Sequence, residues 1–126
     1  MAITSSLSGG SSLQDQLGTG HVVAGGVTAT AGTDAVLTCN DQSAVLTRTA
    51  AGNYTVTFGE PFIAAPIVTV GVIQPTFSAT IGYAGQLVSS ATNAVVINIY
   101  TTTGTTVACA LADHDFTFIA VGKRYN

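Results

Sequence analysis

The chain has 126 residues, enough for one domain with its own core. Its three basic residues, Arg48, Lys123 and Arg124, form no stripe that could neutralise a phosphate backbone, which excludes direct nucleic-acid binding as an expectation. Threonine, serine, glycine and asparagine break every apolar run well short of the roughly 18 residues a membrane-spanning helix needs, so no membrane partner is expected.

The chain opens on an extended N-terminal arm, residues 1–21, in which Ser and Gly punctuate a sparse apolar set: Ile3, Leu7, Leu13 and Leu17. Such a segment orders where its leucines find a partner surface, so these four residues are the candidate partner-binding positions. It lacks the basic start and apolar stretch of a secretory signal, and the product is expected to be made and used without export, in the cytoplasm.

From Val22 to the end, residues 22–126, the apolar period is two. Strands are predicted over 22–30, 35–40 and 45–49, with turns at Asn40-Asp41-Gln42 and Ala51-Gly52-Asn53. Tyr54, Val56 and Phe58 alternate with threonines, and Val68, Val70 and Val72 alternate with Thr69 and Gly71. Pro61 and Pro66 each remove a ladder donor and place the strand after them at an edge or corner. Further strands are predicted over 77–83, 94–101 and 105–111, with turns at Ala84-Gly85 and Thr103-Gly104, and the last runs through Phe116, Phe118 and Ala120. Eight or nine short strands at regular spacing and no helical pattern predict an all-β fold, an antiparallel sandwich or jelly roll.

Only 7% of the residues are charged against 47% hydrophobic. A surface of neutral polar groups repels its copies weakly, and few charges are left to blunt sheet edges, so burial in an oligomer or lattice is expected.

Candidate chemistry is sparse. Cys39 and Cys109 lie in apolar stretches and are expected to be buried, reduced small hydrophobes. Asp113-His114-Asp115 is the one cluster of metal-type ligands; in an extended segment Asp113 and Asp115 share a side and His114 points the other way, so a closed site needs ligands from elsewhere. The carboxylates Asp15, Asp34, Asp41, Glu60, Asp113 and Asp115 show no spacing that converges two in a pocket, and no nucleophile or phosphate-loop signature occurs. No enzymatic activity and no cofactor are expected. The absence of tryptophan and the scatter of the four tyrosines, Tyr83 and Tyr100 among them, leave no evident aromatic sugar platform.

Two stretches carry a resemblance. Residues 52–70, with Val56, Phe58, Phe62, Pro66 and Val68, are followed by Phe116-Thr117-Phe118-Ile119-Ala120-Val121-Gly122. Over residues 45–122 this pattern resembles a trimeric β-sandwich of phage fibre tips, head fibres and capsid decoration proteins, and its outline is similar to that of H-type lectins. Phe118 stands where those lectins carry a tryptophan, and no binding residue is carried over. The resemblance implies a homotrimer on the capsid surface of a virion, a cement protein bound to the major capsid protein. A short product beginning at Met1 without a stalk favours decoration over a fibre. The alternative it implies is a fibre-tip or head-fibre module whose loops, 74–77 or 83–90, bind a receptor or carbohydrate.

Overall fold

Strands that carry apolar residues at every second position bury one side and need a second sheet to cover it. The computed structural model, which describes residues 20–30, 35–74, 81–103 and 109–124, meets this need with two antiparallel sheets. The strands are β1 (Gly20–Thr28), β2 (Val36–Cys39), β3 (Val45–Ala50), β4 (Asn53–Thr57), β5 (Ile67–Val72), β6 (Ile81–Ser90), β7 (Ala94–Thr103), β8 (Ala110–Leu111) and β9 (Phe116–Lys123). One sheet has the order β2-β1-β9-β5 and the other β3-β4-β7-β6, with β8 pairing β7 beyond the end of β4. The chain is therefore an all-β antiparallel sandwich of nine strands among the described residues, which include no helix.

Strand β9 is central to its sheet. It pairs with β1 from Phe116 opposite Val27 to Lys123 opposite Gly20, and with β5 from Phe116 opposite Val72 to Val121 opposite Ile67. Its even positions Phe116, Phe118 and Ala120 point inward and are fully buried, beside Val23 and Val27 of β1. From the facing sheet come Tyr54 and Val56 of β4 and Val95, Ile97 and Ile99 of β7. Phe58 and Phe62 close one end edge to face, with ring centroids 5.0 Å apart. Burying each large side chain of this set contributes about 1.5–3 kcal/mol before ordering costs.

The predicted turn at residues 40–42 forms, with the amides of Ser43 and Ala44 donating to the side chain and carbonyl of Asp41, and it carries the chain from one sheet to the other. β5 is an edge strand, as the two prolines require. Residues 81–90, in contrast, form one continuous strand, so Ala84-Gly85 is not a turn and 83–90 is not a loop. Gly85 lies where a Cβ would stand 2.7 Å from Cγ1 of Val70 across the sandwich; the missing side chain serves packing between sheets. The predicted strand over 77–83 lies in part outside the described residues, as do most of 105–111 and Gly104.

Gly52 has φ +69°, and a Cβ there would stand 2.3 Å from the Ile99 carbonyl oxygen. Gly52→Ala is expected to cost about 2 kcal/mol or more in urea unfolding. Gly26→Ala meets nothing nearer than 3.8 Å and should stay within about 1 kcal/mol of the parent.

Candidate assembly surface

The parity that buries Phe116, Phe118 and Ala120 turns Thr117, Ile119 and Val121 outward. Pairing aligns them with outward residues of β1 and β5 in three rows across the sheet: Ile67-Val121-Val22, Thr69-Ile119-Ala24 and Gly71-Thr117-Gly26. Ile67 is 78% exposed, Val22 51%, Ile119 47% and Val121 46%. No charged residue lies among these nine positions, so the part of the outer side that β5, β9 and β1 share is a contiguous, neutral and largely apolar surface, with Lys123 beyond its end.

The outer side of the other sheet is built differently. Thr47 pairs with Thr55, Val45 with Thr57, and Asn98 of β7 lies between Asn53 and Gln86. Gln86, Asn98, Tyr100, Cys109 and Leu111 line an open depression of about 320 Å³. Oδ1 of Asn98 is buried there without a hydrogen-bond partner.

The charged groups are largely turned to internal work. Asp113 has a side chain only 2% exposed, and its carboxylate accepts hydrogen bonds from Arg48 Nε and Nη2 (2.9 and 2.8 Å), the Gly52 amide (3.0 Å) and the Tyr54 hydroxyl (2.6 Å). One carboxylate thus fixes β3, the turn after it and β4 to the segment that leads into β9. Burial, with the carboxylate it donates to, pushes the Tyr54 phenol well above its usual range. At the other end of the molecule Asp41 accepts from the amides of Ser43 and Gly59, both at 3.0 Å, and from Arg124 at 3.2 Å. Burial pushes the Asp41 carboxyl up, but those two amides and the guanidinium outweigh it and hold it below its usual range. Arg124 also lies 3.9 Å from Glu60 and 5.0 Å from the centroid of Phe62.

The Asp113-His114-Asp115 cluster is therefore divided. Asp113 points into the arginine-tyrosine network, Oδ1 of Asp115 accepts from the Ala29 amide at 2.8 Å, and His114 stacks on Tyr83 with centroids 3.7 Å apart while its Nε2 meets the Ile73 carbonyl. Among the described residues no three metal-type side chains come together. Cys39 and Cys109 are unbridged; Cys39 is partly buried, with Sγ 3.1 Å from the Asp41 carbonyl oxygen, but Cys109 is exposed, against the expectation of a core thiol. Ile3, Leu7, Leu13 and Leu17, like Asp15 and Asp34, lie outside the described residues. Sequence reading missed the outward rows because each strand shows its own alternation, whereas a row exists only once the register is known.

Asp113→Ala leaves the Tyr54 hydroxyl and Gly52 amide without their acceptor and is expected to cost about 3 kcal/mol or more in urea unfolding. Because the folded state lowers the Asp41 pKa, its stabilisation is present above the ordinary carboxylate pKa of about 4 and is lost as pH falls below it. Thermal melts from pH 7 to pH 3 should show a smaller loss for Asp41→Asn than for the parent.

No known family, curated protein or solved structure matches this chain.

Proposed function

We propose that the chain is a structural protein of a virion, a decoration or cement protein that binds the major capsid protein of a phage head in many copies. The observation that carries this reading is the neutral, apolar outer side of the four-stranded sheet, where Ile67, Val121, Val22 and Ile119 stand exposed in register. A monomer in water gains nothing from such a face, whereas a protein covered by its neighbours buries it at about 25 cal/mol per Å² less the costs of association. Repetition of modest contacts over a lattice then gives avidity without a deep site on any one copy. The resemblance of residues 45–122 implies a homotrimer, whereas the apolar face supports assembly without setting the number of copies.

A second reading, a fibre-tip or head-fibre module that binds carbohydrate, is favoured by the depression around Tyr100. An aromatic ring, two amides and an unpaired buried oxygen are suited to neutral hydroxylated ligands.

In purified particles the decoration reading expects hundreds of copies of the chain. Particles lacking it should lose infectivity at a lower temperature while adsorbing to cells as before. A few dozen copies or fewer, with adsorption lost and heat resistance unchanged, would instead support the carbohydrate-binding tip.

A further inference from the structure

We propose that two copies of this chain pair face to face through the outer side of the four-stranded sheet, about a two-fold axis running across the strands along the row Thr69-Ile119-Ala24. The inference rests on reading that side as an assembly surface and is independent of the particle in which it serves.

The face has relief. Ile67, Val121 and Val22 make a ridge of branched side chains, whereas Gly71, Thr117 and Gly26 make a trough, bounded beyond Gly26 by the exposed Thr38 of β2. Ridge and trough lie two residues to either side of the Ile119 row, about 7 Å each way along the strands. Rotation by 180° about an axis along that row reverses the strand direction and lays each copy's ridge over its partner's trough. An axis along the strands would set ridge on ridge and leave both troughs empty, forfeiting their contacts. The face is therefore self-complementary about one of these two axes, the property a two-fold interface requires.

Charge selects the same axis. Lys123 stands four residues beyond Ile119 on β9, outward and exposed, and Asp115 lies four residues before it. The rotation brings each Lys123 over the partner's Asp115, at both ends of the interface. Oδ1 of Asp115 accepts from the Ala29 amide; in the pair its carboxylate meets the lysine across a gap of about 10 Å between sheets, which a lysine and an aspartate together span. Between these ends no charge is repeated across the axis.

The face has the size of a weak, reversible interface. Its strands β1, β2, β9 and β5 hold 9, 4, 8 and 6 residues, which at about 3.4 Å per residue and about 4.8 Å between strands give on the order of 450 Å² per copy in projection. The pair then covers on the order of 900 Å², at the lower end of specific interfaces.

The test is sedimentation equilibrium of the full chain and of outward-facing variants, with circular dichroism melts to confirm folding. The parent is expected to hold an even number of copies. Val121 of one copy lies over Thr117 of the other, so Val121→Asp and Thr117→Lys alone should each weaken pairing at least about tenfold by unmatched charge. The double variant, which places Asp over Lys twice, should return to within about threefold of the parent. Ile67→Lys, at the most exposed apolar position, must also weaken pairing and stands in if Thr117→Lys misfolds. A monomeric or trimeric parent, single variants that pair as well as the parent, or a double variant weaker than either single one would each overturn the proposal. A trimer would do so while leaving the virion reading to its own particle test.

Discussion

The parity of β9 is the constraint on which the rest of the molecule depends. Because successive side chains of a strand point to opposite sides, the placement that buries Phe116, Phe118 and Ala120 obliges Thr117, Ile119 and Val121 to face outward. β9 is hydrogen-bonded on both edges, so its register also fixes which residues of β1 and β5 lie beside them. A slip of one residue would exchange core and surface on three strands at once. The aromatic core pins the register from inside, and the outer rows inherit their alignment from it.

Charge is distributed in a way that sharpens this surface. Two of the three basic residues, Arg48 and Arg124, reach inward to Asp113 and Asp41, so the charged pairs serve as internal ties between distant segments. Each tie is anchored by backbone amides as well as by the guanidinium, from Gly52 in one case and from Ser43 and Gly59 in the other. A buried carboxylate with four donors has little capacity left for chemistry and a large penalty for losing any of them. What remains across the middle of each outer side is neutral, apolar on one sheet and rich in threonine and amides on the other, with Lys123 at the end of β9.

Local patterns made the strands legible. Tyr54-Thr55-Val56-Thr57 and Phe116-Thr117-Phe118 declare their buried side residue by residue, and the turn at Asp41 is written in side chains that bond their own backbone. Residues 81–90 misled because glycine signals both turns and close packing; Gly85 is present for Val70, which approaches from the other sheet. The role of Asp113 was hidden by distance, since its donors lie 59 to 65 residues earlier in the chain and nothing around it announces them. The metal-type side chains of this segment are sent apart by the fold: Asp113 meets Arg48 and Tyr54, His114 meets Tyr83 and Ile73, and Asp115 meets Ala29. Cys109 sits in an apolar stretch yet is exposed, a reminder that a strand of small apolar residues has no intrinsic inside.

The pairing of β1 with β9 has a mechanical consequence. Gly20, where the first described strand begins, lies opposite Lys123, where the last one ends, and theirs is the first of the eight residue pairs that make up the ribbon. A pull on the two ends of the sandwich therefore loads the hydrogen bonds one pair at a time, as in opening a zipper, rather than all together in shear. Such a module yields at low force when tugged by its termini, and withstands strain only where the load enters broadside through its sheets.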